Sequence, residues 1–213
     1  MRERDDYLAA ILAGDRGSAL RIAHGLVEGG AAVLDVYADV LQEALYEVGR
    51  RWESHRISVA TEHIATAVTQ LVLARLYEKL PRRAAIRGRV VLTGIEGELH
   101  QIGGQMVSDA LETDGWEVVY LGTDVPLADV VDAVATLRPA VLGVSCTISR
   151  NVPRVSALVA AVRESLGARA PKVLVGGGAF LLSPPEAARV GADLFAPDLR
   201  AAVAALRVPE ASL

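Results

Sequence analysis

Glu98-Leu99-His100-Gln101-Ile102-Gly103 sets a carboxylate two residues before an imidazole and a glycine three residues after it. The segment follows an apolar run, Arg89 to Ile95, and opens a helical pattern, so it reads as the loop of a strand–loop–helix step. A lone histidine in such a loop is as readily a solvated surface residue or a cap as a ligand. Two later segments favour the ligand. Ser145-Cys146-Thr147 ends the apolar run Ala140 to Cys146, and Gly176-Gly177-Gly178 ends the run Lys172 to Val175. All three segments fall at strand carboxyl ends, where open parallel sheets gather their ligands.

The elements that must position them alternate along the chain. From residue 89 the pattern reads strand Arg89 to Ile95, helix Gln101 to Thr113, strand Trp116 to Leu121, helix Pro126 to Leu137 and strand Ala140 to Cys146. It continues with helix Val152 to Leu166, strand Lys172 to Val175, helix Pro184 to Val190, strand Asp193 to Ala196 and helix Leu199 to Leu206. Five apolar strands separated by helices predict an α/β fold, a doubly wound, five-stranded parallel sheet of flavodoxin-like form over 89–207. Residues 1–80 read as all helix. Short helices at Asp5 to Leu12 and Arg16 to Val27 are broken by Gly14-Asp15 and by Gly29-Gly30. Val33, Tyr37, Val40, Leu41, Ala44, Val48 and Trp52 then recur at helical spacing, as do Ile64, Val68, Leu71 and Val72, which predicts a four-helix bundle. Pro81 to Gly88, with its arginines, interrupts the periodicity and reads as a solvated linker.

Composition narrows the function classes. The 213 residues are 52% hydrophobic, enough for a substantial core. A single cysteine, Cys146, rules out a disulfide within one chain and a thiolate cluster. Because it closes an apolar strand, it reads as a small core residue. A net charge of −4 offers no general attraction to nucleic acid. No apolar run is long enough to span a bilayer and the first residues lack a signal peptide's apolar stretch, so the expectation is a cytoplasmic protein with no membrane partner. Gly94-Ile95-Glu96-Gly97 puts an acid at the first turn, which argues against a phosphate-cradling nucleotide site.

The order and spacing of Glu98-x-His100-x-x-Gly103, Ser145-x-Thr147 and Gly176-Gly177 resemble the fingerprint of the cobalamin-binding domains of methionine synthase, corrinoid methyltransferase proteins and acyl-CoA mutases. The resemblance implies that His100 replaces the cofactor's own base as lower cobalt ligand and that the displaced nucleotide tail is threaded into the sheet. Imidazole suits cobalt, and a carboxylate on the other ring nitrogen fixes its tautomer and raises its basicity. Here that carboxylate is Glu98 where most of the family has Asp, and the longer arm alters the geometry of the bond. Gly103 and the glycines from Gly176 would let backbone approach a bulky ligand, and Ser145 and Thr147 would border the buried tail.

Within that family, Trp52 followed by Val59 and Glu62-His63 resembles the cobalamin-dependent photoreceptors of the CarH and LitR type. In the wider family the helical bundle caps the upper corrin face, and in these photoreceptors this set forms the pocket for the 5′-deoxyadenosyl group. The resemblance implies a flat aromatic over the adenosyl group, a carboxylate accepting from ribose hydroxyls, and a His63 that joins His100 as a metal ligand once light has removed the adenosyl group. Trp52 by itself, four residues beyond Val48 on one apolar stripe, reads as core packing before it reads as a pocket residue. His24 and His55 read as surface residues, with His55 a second contact at the pocket mouth.

These photoreceptors carry a winged helix before the bundle that this sequence lacks. The expectation is therefore a standalone, non-enzymatic sensor, a dimer that signals to a downstream protein and binds no nucleic acid directly. A subgroup of standalone relatives, the photocobilins, holds a bilin, so biliverdin joins adenosylcobalamin as an expected cofactor. The alternative from another class is a corrinoid protein carrying methyl groups for a methyltransferase system. It would share His100, Gly103, Ser145 and Gly176 but have no use for Trp52, Val59, Glu62 and His63, because a methyl group offers nothing to stack on or hydrogen-bond.

Overall fold

The computed structural model describes residues 2–81 and 83–207. Arg82 of the linker lies outside the described residues. The chain divides into two compact units, Met1–Pro81 and Arg82–Leu213.

The first unit is helical: α1 (Arg2–Leu12), α2 (Arg16–Glu28), α3 (Val33–Val36), a π-helical segment (Tyr37–Gln42), α4 (Glu43–Glu53) and α5 (Val59–Tyr77). Two starts are capped by side chains, Asp15 accepting from the Ser18 amide and Ser58 from the Thr61 amide. Tyr7, Ile11, Tyr37, Leu41, Val68 and Leu76 fill the interior. Sequence spacing predicts one unbroken α-helix from Val33 to Trp52. The helix is continuous, but its middle is π-helical, and Val36, Tyr37, Val40 and Leu41 are all buried along it. Burial of the Tyr7 hydroxyl, which donates to Thr69 Oγ1 at 3.2 Å, raises its pKa.

The second unit has β1 (Arg89–Gly94), α6 (Ile102–Thr113), β2 (Glu117–Tyr120), α7 (Leu127–Leu137), β3 (Val141–Ser145) and α8 (Val152–Leu166). It continues with β4 (Lys172–Gly176), α9 (Gly178–Leu182), α10 (Pro185–Arg189), β5 (Leu194–Ala196) and α11 (Leu199–Arg207). The five strands run parallel in the order β2-β1-β3-β4-β5. Thus a helical amino-terminal part precedes a five-stranded parallel α/β sheet, in the flavodoxin-like order. Val91, Leu142, Val144 and Val173 face one apolar layer with α7 and α8, and Val90, Leu92, Val141 and Leu174 face the other. Burial on both faces explains the near-continuous apolar strands. The short helix α9 is additional to the expected elements. No helix among the described residues is long and apolar enough to cross a membrane.

The linker differs from its expected solvated state at its far end. The amides of Ile86 and Arg87 both donate to Gly115 O, and Arg87 Nε lies 3.2 Å from Oδ2 of the buried Asp114. Arg207 at the end of α11 holds the same carboxylate through its Oδ1 at 2.5 Å. Asp114 is a buried charge that needs partners, and the linker supplies one of them.

Candidate functional site

The strand order reverses between β1 and β3, so their carboxyl-end loops diverge and leave a crevice, the expected ligand position of a doubly wound sheet. Glu98 spans this switch point. Its carboxylate is fully buried, although it sits in a loop. Oε1 accepts from His100 Nδ1 and, at 3.2 Å, from the His100 amide. Oε2 accepts from the amides of Thr147 and Ile148 in the β3–α8 loop at 2.8 and 3.2 Å. The longer glutamate arm, which left the geometry open from sequence, lets one carboxylate hold the imidazole and the opposite loop together. Burial alone would push this carboxyl up, but the His100 bond and the three backbone amides outweigh it and hold the pKa at about 2.

That depression carries a pH signature. A carboxyl near 4.5 in the unfolded chain and near 2 in the folded one contributes stability that is fully present above pH 4.5 and is lost as pH falls through 2. The shift corresponds to about 3 kcal/mol. Urea unfolding of the full chain across pH 5 to 2 should show that loss in the parent, and Glu98→Gln should flatten it.

His100 itself is half-exposed, its side chain at 49%. With Nδ1 engaged by Glu98, the ring's capacity to bind a metal rests on Nε2. Gly103, in the first turn of α6, is exposed, and a Cβ placed there would meet nothing within 4 Å. Other glycines answer to the chain's own packing. A Cβ on Gly177, whose φ is +100°, would lie 2.5 Å from Cys146 O, and one on Gly176 would lie 3.0 Å from Ala196 O. Ser145 pairs in register with Gly94 on β1 and Gly176 on β4, and Thr147 is half-buried beside it. Cys146 is buried, and burial together with the Glu98 charge pushes its thiol up to about 12, so it is a protonated core residue. A half-exposed imidazole, buffered by a buried carboxylate and bordered by an open glycine, fits a cobalt ion whose macrocycle brings its remaining ligands.

Sequence reasoning missed the residues that fix this loop. Gly97 N donates to Asp124 Oδ1 at 2.7 Å, Tyr120 OH donates to Gln101 O at 2.9 Å, Asn151 Nδ2 to Gly97 O at 3.2 Å and Arg154 Nη1 to Glu96 O at 2.8 Å. These are bonds to backbone groups, which leave no spacing signature in a sequence.

In the first unit, Trp52 lies near the end of α4 and Val59, Glu62 and His63 lie in the first two turns of α5, either side of the turn Ser54–Ser58. The α4 and α5 helices pack together, so one corner of the bundle carries the whole set. Trp52 is 44% and Val59 54% exposed, so the core reading of Trp52 does not hold. Glu62 Oε2 lies 2.5 Å from His63 Nδ1, and its Oε1 accepts from Thr66 Oγ1 at 2.8 Å. This carboxylate–imidazole pair repeats the motif of Glu98 and His100 on a helix, with the His63 side chain 74% exposed. His55 occupies the turn with φ +57°, and His24 is half-buried instead of at the surface.

The comparisons with known proteins agree with this chemistry. The B12 binding domain matches residues 88–207, and a second B12 binding domain matches residues 3–77. The HTH-type transcriptional repressor CarH of Myxococcus xanthus is 36% identical over 181 residues, 83% of this chain, and the chain spans 58% of the repressor's length. Trimethylamine corrinoid protein 1 of Methanosarcina acetivorans is 25% identical over 204 residues, 92% of this chain and 93% of that one. The structure of the Methanosarcina barkeri monomethylamine corrinoid protein superposes with a TM-score of 0.84 at 23% identity, covering 98% of this chain and 97% of that one, and so shares the fold. With the B12 binding domain matched over more than half its length, the chain belongs to the cobalamin-binding family.

Proposed function

We propose that this protein is a light sensor that binds adenosylcobalamin, with His100 as the lower axial cobalt ligand and Trp52, Val59, Glu62 and His63 serving the adenosyl side. Adenosylcobalamin, when bound, supplies a cobalt–carbon bond that light can cleave. The chain's own residues do the rest. Glu98 holds the His100 tautomer that presents Nε2 to the metal, while Ser145, Thr147, Gly176 and Gly177 border the cofactor's tail. Trp52 and Val59 cover the adenosyl group, and Glu62 accepts from its hydroxyls. His63 is the ligand in waiting on a rigid helix. The helical unit would cap the upper face of the corrin, and the resulting change in His63 would be passed to a second copy or a downstream protein. Biliverdin would act, if bound, as a second chromophore.

The observation that carries this reading is that the turn joining α4 to α5 is flanked by an exposed aromatic, Trp52, and an exposed Val59, with a hydrogen-bonded carboxylate–imidazole pair following on α5. The second reading, a methyl-carrying corrinoid protein, draws on relatives so named that match most of both chains.

Affinity separates the two. Covering the exposed part of Trp52 and satisfying two hydroxyls should together be worth about 2 kcal/mol, so adenosylcobalamin should bind roughly 30-fold more tightly than methylcobalamin. Titration of the full chain with each cofactor in the dark measures this directly. Absorption spectra of the adenosyl form should then change irreversibly under green light. Equal affinities with a light-indifferent assembly would assign the protein to methyl transfer.

A further inference from the structure

The start of α8 turns two side chains away from the helix. Asn151 ends a 3₁₀ turn (Ser149–Asn151) that runs into α8, and its side chain makes no capping bond to a helix amide. Arg154 sits in the first turn, where the helix dipole disfavours a cation. Both side chains are spent on the same object, the loop that carries His100. Asn151 Nδ2 donates to Gly97 O at 3.2 Å, Arg154 Nη1 donates to Glu96 O at 2.8 Å, and Arg154 reaches Asn151 Oδ1 at 3.5 Å. A Cβ on Gly97, whose φ is +80°, would stand 2.1 Å from Arg154 Nη1, so a side chain there would displace the Arg154 tip from the loop. Local stability has been surrendered at a helix end for contacts that run only to the His100 loop, a pattern expected at functional positions.

We propose that Asn151 and Arg154 are positioning residues that lock the Glu96–Gly97 backbone against α8 and so fix the axial imidazole of His100 in its ligating pose. The inference rests on His100 being the axial ligand. Glu98 bonds the ring and bridges to Thr147 and Ile148, but its own backbone must be held for the carboxylate to stay aligned. Asn151 and Arg154 hold the two peptide groups immediately before it. They act on the ring through the loop and touch neither the ring nor its carboxylate.

The test uses the full chain as Asn151→Asp, Arg154→Ala and the parent. An aspartate keeps the size of Asn151 and caps helices well, but it cannot donate to Gly97 O. A merely structural residue would move overall stability and loop order together. A positioning residue separates them. In the cofactor-free protein, the amides of Gly97, Glu98 and His100 should exchange at least about 10-fold faster in both variants, while those of β4 and α2 keep parental rates. Cob(II)alamin affinity should fall about 10-fold in each, with weakened axial-nitrogen splitting in the electron paramagnetic resonance spectrum. Parental exchange at Gly97–His100, a loss of protection spread over the whole second unit, or parental cob(II)alamin affinity despite a loosened loop would each overturn the proposal. Persistence of the nitrogen splitting in His100→Ala would instead remove the axial-ligand reading beneath it, and the exchange arm distinguishes that failure from failure of the lock.

Discussion

His100→Ala should abolish the axial-nitrogen splitting of bound cob(II)alamin and weaken cofactor binding by more than the roughly 10 to 100-fold that loss of a supporting partner costs. The reasoning begins with the buried Glu98. Its carboxylate receives an imidazole and three amides in the intact site, and without the ring it keeps the three amides, of residue 100, Thr147 and Ile148, but loses a charge-assisted partner. The variant therefore forfeits the cobalt–nitrogen bond and part of the bond network that joins the β1–α6 and β3–α8 loops. Glu98→Gln is the graded comparison. It keeps the ring but turns a donor toward backbone amides that also donate, so its affinity loss should fall between parent and His100→Ala. The spectra should order the same way, with nitrogen splitting kept in Glu98→Gln and absent in His100→Ala. A His100→Ala protein with unaltered splitting and parental affinity would show that the ligand lies elsewhere.

How much of this site the sequence disclosed depends on which physical signal each residue leaves. Glu98, His100 and Gly103 are legible because they form a local motif after a strand whose apolar run is itself a strong signal. Parallel strands buried on both faces leave such runs, which is why the sheet's order of elements could be read within a residue or two at each end. The π-helical segment Tyr37–Gln42 was not legible, since a brief departure from the α period shifts burial by a single position and the spacings of three and four absorb it. The short helix α9 carries too few residues for any period to show. Asp124, Asn151 and Arg154 were invisible for another reason: their partners are backbone groups far away in sequence, and any residue could have supplied those carbonyls and amides. Trp52 illustrates the opposite error. Its spacing from Val48 matches a core stripe, but α4 ends one residue later, and the chain turns with the residue still 44% exposed. Gly177 shows that the right residue can be singled out for an incomplete reason, because the backbone of Cys146 already demands it without any ligand.

Illumination of the adenosyl form should leave a stable product in which His63 and His100 are both cobalt ligands, and His63→Ala should prevent it. The expectation follows from the resting geometry of the pair on α5. Glu62 already sits 2.5 Å from His63 Nδ1 and is itself steadied by Thr66, so the ring is oriented through the nitrogen that a metal would not use, as His100 is by Glu98. The His63 side chain is largely exposed, and nothing in the helical core must be broken to recruit it. Its position in the second turn of α5, close to the Ser58 cap, means that drawing the ring toward a ligand pulls on the helix start and on the turn that joins it to α4. That strain at one bundle corner is the candidate signal to a second copy or another protein. The alanine variant should still lose its adenosyl group in green light, because bond cleavage needs no protein ligand, but it should end with water or hydroxide in place of the imidazole. Absorption spectra before and after light, with hydrodynamic size measured on the same samples, separate the outcomes. If His63→Ala reached the parental final spectrum and the parental change in size, His63 would be an ordinary exposed helix residue and the proposed photosensory mechanism would fail.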